Sequence, residues 1–166
     1  VSNVLGFSQL ERGNLSVKPE VGPLGDTLRD LADRAQPALD RAGAVLELDA
    51  SADLRACFDR DALARILGNL LDNAEKYSRG AADRSITLAA RDLGDRVELV
   101  ITDRGPGIRD VSELFRPFAR GVADDAPAGL GLGLTLSRSL ARAMGGDLRY
   151  RPSEVGAVFV LELPRA

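Results

Sequence analysis

The sequence predicts an α/β fold, because strand-like segments of period two alternate with helical segments of period three to four. Three observations carry that expectation. Over 59–78 the residues Leu63, Ile66, Leu67, Leu70, Leu71, Ala74 and Tyr77 recur at helical steps and make one apolar stripe. Segments 85–91 and 96–103 read as strands joined by Leu93-Gly94-Asp95, a hairpin signal. Segment 130–144 reads as a helix ended by Gly145-Gly146, and 147–151 with 155–163 reads as a closing hairpin.

The remaining elements follow in order. Val1, Val4, Leu5 and Phe7 to Leu10 suit the last turns of a helix that begins upstream, with Gly13-Asn14 as its end. A short extended stretch over 15–21, interrupted by Pro19, leads through Gly22-Pro23 into a helix over 24–41. Pro37 inside that helix is expected to kink or divide it. Segments 44–50 and 53–58 suit two strands. Residues 104–129 lack periodicity and are rich in Gly and Pro, a length of irregular chain that is usually functional or mobile.

Composition narrows the chemistry. With 166 residues and 45% apolar content, one domain, or one domain plus a short appendage, is expected, with a sizeable core. The formal charge is −3, so binding to nucleic acid by phosphate neutralisation is not expected. There is no histidine, which removes imidazole bases and triads, and the single Cys57 removes disulfide frameworks and thiolate zinc sites. Val1 at the start and Met144 as the sole methionine suggest a piece of a longer product. No run of apolar residues is long enough to span a membrane.

Carboxylates, amides, hydroxyls, Lys and Arg are left to act. Asn69, Asn73 and Lys76 lie at steps of four and three and form a polar stripe beside the apolar one. Two of the chain's four asparagines sit there, and Lys76 is one of only two lysines. The spacing also suits an ordinary solvated face, but an amide oxygen is a hard ligand suited to Mg²⁺ shared with phosphates. Asp103-Arg104-Gly105-Pro106-Gly107 places a carboxylate at a strand end with glycines that permit close approach, or simply makes a strand exit. Gly129-Leu130-Gly131-Leu132-Gly133 opens a helix, which suits either an anion cradle or a hinge. The dinucleotide fingerprint and the P-loop are both excluded there, since no strand immediately precedes the glycines and no Gly-Lys occurs. Phe115 and Phe118 flank Arg116-Pro117 and suggest a loop that packs on something.

In this order the motifs resemble the N, G1, F and G2 boxes of the catalytic ATP-binding domain of sensor histidine kinases. The resemblance covers about 21–163; residues 1–20 look like the end of a phosphotransfer and dimerisation helix plus linker, and 21–166 like the catalytic domain with a lid at about 104–129. It implies a two-layer α/β sandwich of the Bergerat type, a mixed sheet of about five strands with three helices on one face. It also implies ATP and Mg²⁺ as cofactors. Asn69, Asn73, Lys76 and Arg120 would be the catalytic residues, with Asn73 the metal ligand. Tyr77, Asp103, Gly105, Gly107, Phe115, Phe118, Gly129, Gly131, Leu132 and Gly133 would line the nucleotide. Leu130 and Ala119 depart from the pattern, standing where the family often has a hydroxyl and an aromatic residue. In hydrolases of the same fold a glutamate occupies the position of Asn69, and an amide cannot act as a base at neutral pH. Transfer to an acceptor is therefore expected over hydrolysis. The implied partners are the phosphotransfer domain of the parent, itself a homodimer, and a response regulator, with no nucleic acid and no membrane contact by this piece. The expected location is cytoplasmic, whether or not the parent is membrane-anchored. The competing expectation is a serine kinase of the anti-sigma-factor type, or a nucleotide-dependent interaction module.

Overall fold

The computed structural model describes residues 16–108, 114–115 and 133–166. The expected helix over 1–12 lies outside the described residues, as does most of the 104–129 segment. The elements run β1 (Glu20–Pro23), α1 (Leu24–Arg41), β2 (Val45–Asp49), β3 (Arg55–Phe58), α2 (Arg60–Tyr77), β4 (Ser85–Asp92), β5 (Arg96–Thr102), α3 (Gly133–Ala143), β6 (Asp147–Arg151) and β7 (Val158–Pro164).

The main sheet has five strands in the order β2-β4-β5-β7-β6, parallel between β2 and β4 and antiparallel elsewhere. A separate two-stranded ribbon pairs β1 with β3. Period-two alternation puts Ile86, Leu88, Val97, Leu99, Ile101, Phe159 and Leu161 into one core with the helices. Among the described residues this is the expected sandwich of three helices and a mixed sheet.

The opposite face of the sheet carries charge. Glu98 and Glu162 stand directly opposite one another, a like-charge pairing that is unfavourable alone. Arg149 bridges both carboxylates, and Arg151 adds a bond of 2.9 Å to Glu98. Val160, facing Arg149 in the register, is fully buried on this side, consistent with the arginine stem lying over it.

Local chemistry sets the helix ends. Asp59 caps α2, its side chain accepting from the Ala62 N–H at 3.0 Å. Helices α1 and α3 close on left-handed glycines. Ala44 N–H donates to the Leu39 carbonyl at 2.9 Å with Gly43 at φ 78°, and Gly146 N–H donates to the Ala141 carbonyl at 2.9 Å with Gly145 at φ 88°. Pro37 does not divide α1, which is continuous across it. Position 37 lies on the exposed side, where the carbonyl it leaves unpaired is free to meet water. At the other end, a Cβ on Gly25 would lie 2.0 Å from the Ser51 carbonyl oxygen, so only glycine lets the β2–β3 connection cross the first turn of α1.

Candidate functional site

Helix α2 has two faces. Leu63, Ile66, Leu67, Leu70, Leu71 and Ala74 are buried in the core, while Asn69, Asn73, Lys76 and Tyr77 are half-buried on the side that adjoins them. The structure brings Asn69 to α3: its amide nitrogen donates to the Gly133 carbonyl at 3.3 Å and to Ser137 Oγ at 3.1 Å. Ser137 is fully buried. Asn69 is thus a clip between α2 and the first turn of α3, a role its spacing did not disclose. Lys76 pairs with Asp72 one turn back, Nζ to Oδ2 at 2.9 Å.

Asp103 lies just past the end of β5 and is 3% exposed. Its Oδ1 accepts from the Gly105 N–H at 2.8 Å and the Ala157 N–H at 3.2 Å. Burial pushes its carboxyl above the ordinary range, and the two backbone donors pull the other way. Both of these bonds go to one oxygen, which leaves Oδ2 as an acceptor.

The glycines around Asp103 have steric reasons. A Cβ on Gly105 would lie 2.5 Å from the Tyr77 carbonyl oxygen, so the loop after β5 packs directly on the end of α2. Gly107 has φ 79°, and beside it the Ile108 N–H donates to Tyr150 Oη at 3.3 Å. Gly156, at φ 66°, abuts the Asp103 backbone from the β6–β7 turn.

Phe115 is held on three sides. Thr135 Oγ1 donates to its carbonyl at 2.7 Å, Phe159 meets its ring edge-on at 6.5 Å, and the Arg138 guanidinium sits 4.9 Å from the ring centre. Gly133 opens α3, whose first turn carries no acidic residue. Arg120, Phe118, Gly129, Gly131 and Leu132 lie outside the described residues.

A charged network at the end of α2 was not anticipated. Glu75 is 7% exposed and bonds Arg79 at 2.9 Å and Arg84 at 3.2 Å. The Arg79 hydrogen bond, opposed by burial and reinforced by Arg84, holds its carboxyl below the ordinary 4.5. One signal was present in the sequence: Glu75 follows Leu71 by four positions and so continues the apolar stripe. Arg84 and Gly156 gave none. Because the native state holds this carboxylate ionised, Glu75 adds stability that is complete above about pH 4.5 and lost as pH falls below it. Glu75→Gln is expected to flatten that part of the acid-unfolding curve, measured as denaturation midpoint against pH.

Comparison with known proteins agrees with this geometry. The family described as histidine kinase-, DNA gyrase B- and HSP90-like ATPase matches residues 58–166. The sensor protein KdpD of Rathayibacter rathayi is 38% identical over 89% of this chain and 18% of its own length. The sensor-like histidine kinase SenX3 of Mycobacterium tuberculosis is 34% identical over 79% of this chain and 33% of its own. The chain therefore spans between about a fifth and a third of these relatives. Among solved structures, the Acinetobacter baumannii histidine kinase AdeS superposes with TM-score 0.79 at 23% identity, covering 99% of this chain and 76% of that one, which speaks to the fold. Full-length ShkA in complex with AMPPNP superposes with TM-score 0.78 at 28% identity, covering 99% of this chain and 35% of that one. The chain belongs to the histidine kinase-, DNA gyrase B- and HSP90-like ATPase family, and within it to the catalytic domains of sensor histidine kinases.

Proposed function

We propose that this domain binds ATP with Mg²⁺ and delivers the γ-phosphoryl group to a histidine supplied by a phosphotransfer domain outside this chain. The observation that carries the proposal is Asp103, a buried carboxylate with one oxygen fixed by two backbone N–H groups and the other left as an acceptor. That arrangement suits the exocyclic amino group of adenine. The donor set fits the metal as well. Asn73, half-buried on α2, offers an amide oxygen, a hard neutral ligand, and would hold Mg²⁺ together with phosphate oxygens. Bound Mg²⁺ supplies charge neutralisation on the phosphates.

Lys76 would add a second positive charge, and the N-terminal end of α3 would favour the anion. Tyr77 would lie along the base or ribose. Asn69, an amide committed to Gly133 and Ser137, does not deprotonate water, so positioning for transfer is favoured over hydrolysis. Gly105 and Gly107 hold the loop beside Asp103; Phe115 and Phe118 would belong to the lid, Arg120 would reach the phosphates, and Gly129, Gly131 and Leu132, with Gly133 at the start of α3, would admit them. In the parent protein we expect a homodimer, a response regulator as the next acceptor and a cytoplasmic location. The relatives' names give the serine-kinase alternative no support.

The test supplies radiolabelled ATP with Mg²⁺ and a separate histidine-containing phosphotransfer domain. Label on that domain that survives base and is lost in acid is expected. No label with any such acceptor overturns the proposal. Asn73→Ala is expected to lower Mg²⁺-dependent transfer by about two orders of magnitude, with the thermal midpoint little changed.

A further inference from the structure

Helices α1 and α3 end in the ordinary way, on a left-handed glycine. Helix α2 does not: it stops at Ser78, with φ −106° and no glycine. Its end is closed by a side chain from the following loop. Arg84 Nη1 donates to the Glu75 carbonyl and to Ser78 Oγ, both at 3.1 Å. Nη2 donates to the Glu75 carboxylate at 3.2 Å and to the Ala42 carbonyl at 3.0 Å, just past the end of α1. Ser78 is fully buried, and its hydroxyl donates to the Ala74 carbonyl at 2.7 Å.

This is a costly way to end a helix. A carboxylate and a guanidinium are both withdrawn from water, and such pairs seldom repay their desolvation in stability. A glycine would have sufficed, as it does twice elsewhere in the chain. The network adjoins the loop after β5 at one place: directly against it, Gly105 packs on the Tyr77 carbonyl and the Ser78 Cα with no room for a Cβ. Gly105 in turn fixes Asp103 through its N–H.

We propose that Arg84 and Glu75 are positioning residues for the nucleotide site, holding the end of α2 so that Lys76 and Tyr77 keep a fixed relation to Asp103. The proposal rests on the nucleotide reading above. Neither side chain has to touch the ligand; Arg84 acts through four acceptors and Glu75 through Arg84. The guanidinium fork is essential, because an ammonium is a point charge and cannot serve four acceptors in one plane.

The test measures the affinities of the 166-residue chain for ATP and for ITP, which carries a carbonyl in place of the adenine amino group. Arg84→Lys, Arg84→Ala and Glu75→Gln are compared with Arg79→Ala, which removes the exposed partner of Glu75. Thermal melting establishes that each variant is folded. In both Arg84 variants the ATP preference is expected to shrink on the order of tenfold, with ATP affinity falling by more than ITP affinity, since only ATP depends on the relation to Asp103. Glu75→Gln is expected to move the ratio in the same direction by less, and it covers the case in which Arg84→Ala does not fold. Arg79→Ala should leave the ratio unchanged.

A merely structural role predicts otherwise: a lower melting temperature with the same ATP-to-ITP ratio in every folded variant, and that result overturns the proposal. If the unaltered chain shows no preference for ATP over ITP, the reading of Asp103 fails and this inference falls with it. Preference in the unaltered chain, retained in the Arg84 variants, overturns this inference alone.

Discussion

Gly156→Ala is expected to cost more than about 4 kcal/mol, leaving a chain that does not fold cooperatively at 37 °C. The Cβ would stand 1.8 Å from the Asp103 carbonyl oxygen, 2.6 Å from its carbon and 2.9 Å from Oδ1. None of these atoms belongs to the loose end of a side chain: two are backbone and the third is pinned by the Gly105 and Ala157 N–H groups. The left-handed φ of 66° adds about 1 kcal/mol on its own. Gly43→Ala separates the two causes. It has φ 78° with nothing near its Cβ position, so it should lose only about 1 kcal/mol. Urea unfolding of both variants measures the contrast, and equal midpoints would sink the steric argument.

Asp103→Asn is expected to do the reverse, removing binding while sparing the fold. The amide keeps an acceptor for the Gly105 and Ala157 N–H groups but presents a donor where Oδ2 stood. In the contact with the adenine amino group proposed above, that exchanges an attraction for a clash of donors. ATP affinity should fall roughly 10- to 100-fold, the worth of a hydrogen bond to a charged group.

The stability effect follows from the direction of the Asp103 shift. Burial raises its folded value above the unfolded one, so the native state binds the proton more readily, and ionisation costs stability as pH rises through that window. The amide is free of this cost. At pH 7 the variant should melt at the same temperature as the unaltered chain or higher, and the difference should vanish in acid below the ordinary value of 3.8. A variant that binds ATP normally, or that melts lower at pH 7 than in acid relative to the parent chain, contradicts the argument.

Local signals were legible in the sequence because their causes are local. The stripe of α2, the Gly145 stop of α3 and the Leu93-Gly94-Asp95 hairpin each depend on residues within a few positions, and each stands where the pattern put it. Asp103 and Gly105 likewise belong to a local pattern, and they stand just past the strand end where it put them. What escaped were contacts between distant residues. Asp103 and the Ala157 N–H are 54 positions apart, so nothing near Gly156 announces why it must be glycine. Arg84 looked like any of the many arginines in an Arg-rich chain. Asn69 reads in the sequence as part of a polar stripe, but its amide turns toward α3, a partner whose place beside α2 only the fold decides. Pro37 misled because a proline on an exposed face sacrifices a bond that water replaces.

The parallel pairing of β2 and β4 bears on how the protein acquires its site. Strands β4 and β5 join through a tight turn and can meet early, as can β6 and β7. Strand β2 cannot reach β4 until the chain has passed through β3 and α2, because parallel neighbours require a crossover. Asn69, Asn73, Lys76 and Tyr77 ride on that crossover. Refolding followed by a sheet signal and by nucleotide binding should therefore give two clocks. The hairpins set the first and the closing of the β2 edge the second, so a chain already rich in strand is still blind to ATP.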